Sequence, residues 1–155
     1  KDKMTSKKQM KSASRLYAVQ ALFQMEASDQ GMNEVRDQFV DYRFGATLEG
    51  EEYAEGNIDF FDALLFMAVN QQAAIDQMTD RALVAKWPID RIDPTLRAVF
   101  RAAGAELIIN ETPPKVAIVE YVEVAKAFFP DGNETRFVNA VLDHMAREAH
   151  PDKFK

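Results

Sequence analysis

The sequence contains no cysteine and only two histidines among its 155 residues. The first absence excludes a disulfide framework and every cysteine-ligated zinc site, and it suits a reducing compartment. The two histidines, His144 and His150, do not have the i, i+4 spacing that sets two imidazoles on one helix face around a metal. His144 is expected at the solvent edge of the last helix. No stretch approaches the roughly 18 consecutive apolar residues of a membrane helix. No apolar segment follows the basic first residues, as an export signal would require. The expectation is a cytoplasmic protein with no membrane association. Glycine-rich phosphate loops, nucleophile elbows and dinucleotide fingerprints are also missing. Carboxylates are plentiful, but solvated helix faces account for them. The sequence therefore reads as a non-enzyme with no metal and no cofactor.

What the chain does have is 47% hydrophobic and 10% aromatic residues, enough to bury a core without covalent staples. Its length fits one domain or two tightly packed helical halves. The net charge of −6 is unevenly spread. Lys1, Lys3, Lys7, Lys8, Lys11 and Arg15 face only Asp2 within the first 15 residues, so +5 sits there and −11 on the rest. A basic arm on an acidic body suits a polyanion; a solubilising terminus fits the charge equally well.

Helical periodicity dominates, with no convincing strand alternation, internal repeat or low-complexity segment. A first helix is expected from Thr5 or Ser6 to about Ala27. Within it Lys7, Lys8, Lys11 and Arg15 fall in an arc of about 100°, shared later by Ala18, Leu22 and Met25. The simplest geometry buries the later turns and projects the first ones. A second helix is expected from Asn33, as N-cap, to Phe44, with Val35, Phe39 and Tyr42 inward. Residues 45–57, with Gly45, Gly50, Gly56, Glu49, Glu51, Glu52 and Glu55, read as a flexible acidic loop. A long helix should then run from Ile58 to Leu83. Lys86-Trp87-Pro88 ends it and marks the boundary between a half at 16–86 and a half at 87–155. Asp93-Pro94 starts the next helix, as cap and first position, with Leu96, Val99, Phe100, Ala103 and Leu107 inward as far as Asn110. After Thr112-Pro113-Pro114 comes a helix lined by Ile118, Val122, Ala125 and Phe129. Pro130-Asp131-Gly132 turns into a last helix capped by Asn133, with Val138, Val141, Leu142 and Met145 inward. Six to seven helices joined by short loops predict an all-α helical bundle.

Cations along one side of a projecting helix neutralise phosphates and release counterions. Four of them give a log–log salt slope near about −3 for single-stranded RNA. Such contacts give affinity; choosing a sequence needs an aromatic for stacking and a polar group for base edges. The last helix offers Arg136, Phe137 and Asn139. Phe137 lies about 80° from the centre of that helix's apolar stripe, so a peripheral core role stands beside the stacking role.

Several segments together resemble the NusB family. Ile89-Asp90-Arg91-Ile92-Asp93, Leu96-Arg97-Ala98-Val99-Phe100-Arg101 and Ala105-Glu106-Leu107 are similar to its central helix. Pro114-Lys115-Val116-Ala117-Ile118 leading to Ala125-Lys126 is similar to the following one. Arg136-Phe137-Val138-Asn139-Ala140-Val141-Leu142 resembles its closing signature, and Arg15 with Ala18-Val19-Gln20-Ala21-Leu22-Phe23 its first helix. The likeness spans most of the chain and is weakest over 28–57.

The resemblance implies two packed helical halves in one domain, 1–155, with residues 1–15 as a basic arm. It implies a transcription antitermination factor that binds the boxA element of ribosomal RNA transcripts. Its partners would be NusE, a small-subunit ribosomal protein, other Nus factors and RNA polymerase. Lys7, Lys8, Lys11 and Arg15 would contact phosphates, and Gln20, Arg136, Phe137 and Asn139 would lie on or beside the same RNA surface. Phe23, Arg97 and Arg101 would form the NusE face. The chain departs from the family in its lysine-rich rather than arginine-rich arm. Val119 stands where asparagine is common, and Ala140 where glycine is usual. Two other readings stay open: an RNA-recognition module serving a ribosomal RNA methyltransferase, and a helical protein-interaction module without RNA specificity. The resemblance leaves room for a homodimer.

Overall fold

A computed structural model describes residues 6–48, 50–83 and 89–154. Seven α-helices appear among them: α1 (Lys7–Ser28), α2 (Met32–Tyr42), α3 (Ile58–Asn70), α4 (Gln72–Ala82), α5 (Pro94–Ile109), α6 (Pro114–Phe128) and α7 (Asn133–Ala149). The expected all-α bundle is what the chain forms. No helix of the described residues is long and apolar enough to cross a membrane. The expected boundary at Lys86-Trp87-Pro88 lies outside the described residues, as do Lys1, Lys3 and Glu49.

Local chemistry explains several helix ends. The Ser6 side chain accepts from the Gln9 amide at 3.1 Å while the Gln9 side chain accepts from the Ser6 amide at 2.9 Å, a reciprocal capping box that satisfies two otherwise orphaned donors. Asp93 accepts from the Thr95 amide at 2.7 Å, with Pro94 opening α5. Asn110 ends that helix in the left-handed region, φ 59°, which asparagine tolerates.

Four expectations are corrected. The helix expected over Ile58–Leu83 is two, because Gln71 (φ −115°, ψ 23°) leaves helical geometry. The break lets α3 bury Phe61, Leu64 and Leu65 while α4 turns Ile75 and Met78 inward. The N-caps of α2 and α7 are Gly31 and Gly132, not Asn33 and Asn133. Tyr42 is 70% exposed rather than inward, since α2 stops there. Residues 45–57 include a β-hairpin, β1 (Thr47–Leu48) pairing antiparallel with β2 (Glu51–Glu52), with Gly50 at φ 80° in its turn. The segment is tied down: the Tyr17 hydroxyl donates to the Ala54 carbonyl at 2.6 Å. Ser14 likewise accepts from the Asn57 amide at 2.7 Å.

Helix α5 occupies the centre, touching α1, α3, α4, α6 and α7. Phe100, Val99, Ala102 and Ala105 on it have no exposure, nor do Phe61 of α3, Ile75 of α4, Tyr121 of α6 and Met145 of α7. Each large apolar side chain so buried contributes about 1.5–3 kcal/mol. Ion pairs fix directions around this core. Arg15 meets Glu106 and Glu26 meets Arg97 and Arg101, so α1 and α5 run antiparallel. The turn at Thr112 reverses the chain again, which makes α6 run in the same sense as α1.

Candidate nucleic-acid interface

The first turns of α1 carry Lys7 and Lys8, both exposed, and Lys11, half-buried. None forms an ion pair among the described residues; the Lys11 ammonium instead lies 5.0 Å over the Phe60 ring. A lysine without a carboxylate partner keeps its full charge for a phosphate. Neither this turn of α1 nor the first turn of α6 holds an acidic residue, so each helix presents the positive end of its dipole undiluted.

Arg15 does not belong to that free set, and its expected phosphate contact is corrected. It is 4% exposed. Its Nε donates to Glu106 Oε1 at 2.9 Å, its Nη2 to Glu106 Oε2 at 2.8 Å, and its Nη1 lies 3.2 Å from Glu120 Oε1. Glu106 also accepts from the Thr112 hydroxyl at 2.6 Å and the Tyr121 hydroxyl at 2.8 Å. Burial opposes the Glu106 charge, but the hydrogen bonds and charge of Arg15, with Thr112 and Tyr121, hold its carboxyl below the ordinary range. Burial and the Glu106 charge push the Tyr121 hydroxyl well up. A bidentate pair this dry is costly to open. The sequence carried one hint: Glu106 lies seven residues, about two helical turns, beyond Val99 on the buried stripe of α5, where a charge requires a partner.

The remaining expected residues divide. Arg136 and Asn139 are exposed at the start of α7, and Arg136 has no carboxylate partner among the described residues. Phe137 is half-buried, its ring edge-on to Phe100 at 6.1 Å and 65°, so it contributes to the core. Gln20 is half-buried and accepts from Arg43 Nη1 at 3.1 Å, which leaves its oxygen engaged.

The structure does not gather these groups into one pocket. Phe137 packs at the Phe100 level of α5, and His150, at the other end of α7, contacts the Leu107 carbonyl at 2.7 Å. The α7 start therefore lies toward the N-terminal part of α5. The arm lies beyond Glu106, toward the C-terminal part. Sequence reasoning also passed over Lys115, exposed on the first turn of α6, because it lies in a family-like stretch and outside any charge run.

The expected partner face is mixed. Phe23 is 40% exposed. The Arg97 and Arg101 side chains are only 11% and 15% exposed. Arg97 pairs with Glu26, and Arg101 spans Glu26 at 3.1 Å and Asp76 at 2.8 Å. The Arg97 hydrogen bond is the main reason the Glu26 carboxyl is held below its ordinary range. Glu26, Gln72, Asp76, Asp90, Arg97 and Arg101 line a cleft here, with its cations already neutralised.

Comparison with known proteins adds the following. The sequence description of the NusB family fits residues 12–147. A transcription antitermination protein NusB from Maricaulis maris is 44% identical over 146 residues, covering 94% of this chain and 91% of the relative. T. maritima NusB has a TM-score of 0.73 at 27% identity, covering 92% of this chain and 95% of that one. The crystal structure of antitermination factors NusB and NusE in complex with dsRNA has a TM-score of 0.71 at 22% identity, covering 88% and 96%.

Proposed function

The chain belongs to the NusB family of transcription antitermination proteins, and from that premise we propose that it binds boxA RNA together with NusE in the cytoplasm, as part of a complex with other Nus factors and RNA polymerase. It acts by binding rather than by catalysis. The observation that carries the RNA reading is the contrast among cations. Arg15, Arg36, Arg81, Arg97, Arg101 and Arg147 are each tied to a carboxylate, whereas Lys7, Lys8 and Lys11 at the exposed start of α1 are not. A polyanion meets three closely spaced charges there that no carboxylate among the described residues neutralises.

Arg136 and Asn139 supply a second contact, with Phe137 stacking one base at a worth of about 1–3 kcal/mol. Phe137 also packs on Phe100, so Phe137→Leu, which keeps apolar volume, is the better probe of stacking than alanine. The NusE face takes in Phe23, whose exposed ring can be covered without breaking an ion pair. A solved NusB–NusE assembly with RNA in the same fold supports this partnership.

The test is a titration of the purified chain into labelled boxA RNA and a scrambled control of equal length, with and without NusE, at two salt concentrations. We expect preference for boxA, strengthened by NusE and weakened by Phe137→Leu. Equal, salt-sensitive binding to both RNAs would leave only a basic arm on a helical bundle. No binding in any condition would favour a protein-interaction module.

A further inference from the structure

The two flanks of the basic arm differ in charge. On the α3 side stand Asp59, in the first turn of α3, and Glu51, Glu52 and Glu55 of the hairpin segment, all exposed. None of the four has a cationic partner among the described residues. This side is held against α1 by the Ser14–Asn57 and Tyr17–Ala54 hydrogen bonds. An RNA strand laid along it would meet uncompensated negative charge.

The α6 side is the opposite. Ser12 donates to Glu120 at 2.8 Å and Arg15 lies 3.2 Å from the same carboxylate, which docks α6 beside the first half of α1. Both helices run in the same sense, so the first turn of α6 sits at the same end of the molecule as Lys7 and Lys8. That turn carries Lys115, exposed, with no carboxylate partner among the described residues. Its ammonium lies 5.6 Å over the Phe154 ring, a contact that positions the cation and leaves its donors free. The only two carboxylates of α6 are engaged, Glu120 as above and Glu123 with Lys126 at 3.0 Å. On the outer face Val116 is 45% and Val119 60% exposed, and the mutually neutralised Glu123–Lys126 pair follows one turn further along the same face. Beyond the far end of α6 the chain turns directly into the start of α7, where Arg136 and Asn139 are exposed.

We propose that the outer face of α6 is the floor of a single-stranded RNA track joining the arm to Arg136 and Asn139, with Lys115 as a phosphate contact on it. This rests on the RNA-binding reading above and extends it. The carboxylates of Asp59 and the hairpin fence the other flank and direct the strand to α6. The track also answers a geometric question, since the two ends of the expected interface share no pocket. Apolar Val116 and Val119 accept sugars and base faces without imposing sequence, which assigns affinity to α6 and leaves choice of bases to α7.

The experiment measures boxA RNA affinity as a function of salt for the whole chain and four variants. The triple variant Lys7→Gln/Lys8→Gln/Lys11→Gln tests the underlying reading. Lys115→Gln tests the new contact. Val119→Glu places a charge on the track, and Ala63→Glu places the same charge on the exposed face of α3 as a matched control. Lys7, Lys8, Lys115, Val119 and Ala63 are exposed and Lys11 is half-buried; thermal melts verify folding of every variant. We expect Lys115→Gln to flatten the log–log salt slope by about 0.7, the share of one phosphate on a single strand. Val119→Glu should weaken binding at least about threefold more than Ala63→Glu, since only the first charge faces the strand. If the triple variant loses affinity while Lys115→Gln is silent and Val119→Glu matches Ala63→Glu, the track is overturned and RNA binding by the arm stands. If the triple variant binds like the parent, both readings fall.

Discussion

With Arg15 4% exposed and Glu106 1% exposed, neither charge of the pair has water to fall back on. Removing Glu106 leaves the buried Arg15 with only the Glu120 contact at 3.2 Å, a loss toward the lower end of the about 3–5 kcal/mol of a broken buried pair. Glu106→Gln should therefore lower the melting temperature at neutral pH, even though glutamine can still accept one hydrogen bond. The acid dependence separates this from loss of shape. A carboxyl lower in the folded than in the unfolded chain adds stability above its ordinary value of 4.5, and that stability is lost as pH falls toward the folded value. The parent should thus lose stability on acidification below about pH 4.5, and Glu106→Gln should lose less over the same interval. Glu26 and Glu148, also held low by arginine hydrogen bonds, titrate in both proteins and cancel in the difference. Parallel acid profiles would show that Glu106 is not the group responsible. The pairing of Arg15 is not legible in the sequence for a physical reason: a run of charge names the cations, but the carboxylates that engage this one lie 91 and 105 residues away.

At the scale of elements, local chemistry announced what local chemistry controls. Asp93-Pro94 and Thr112-Pro113-Pro114 marked the starts of α5 and α6, and the inward stripes Val138, Val141, Leu142 and Met145 of α7 were legible as a period. The break at Gln71 was not, since neither proline nor glycine stands there and the bend is imposed by what α3 and α4 each bury. The hairpin was hidden in the same way: its anchors are Ser14 and Tyr17, far off in sequence. Gly104 illustrates how packing overrides propensity. Alanine suits a helix interior better than glycine by about 1 kcal/mol. A Cβ at position 104, however, would lie 2.5 Å from Ile75 Cγ2, and overpacking of this kind costs about 1–3 kcal/mol. We expect Gly104→Ala to lower stability in chemical denaturation. Combined with Ile75→Ala, which removes the obstructing methyl, its loss should be smaller than the sum of the two singles. Additive losses would place the strain elsewhere.

Across the whole molecule, the fold was readable because helical period and caps repeat along the chain, whereas the interface depends on which charges remain after folding has paired the rest. Among those that remain, Lys7, Lys8, Lys11 and Lys115 lie at one end and Arg136 at the other. The connecting helix, α6, has 15 residues and so spans about 22 Å. This separation makes ligand length a test of architecture. An oligonucleotide too short to cover α6 can occupy the lysine end alone, and its affinity should be indifferent to Arg136→Gln. One long enough to reach α7 should bind with a steeper salt slope, by about 0.7 for the added phosphate, and Arg136→Gln should remove that increment. Arg136 is exposed and unpaired among the described residues, so its replacement leaves the core untouched and melting should not change. Arg136→Gln weakening short and long RNAs alike would mean that the two ends are not read in sequence along one strand, and the charge at α7 would then act only through the general field of the protein.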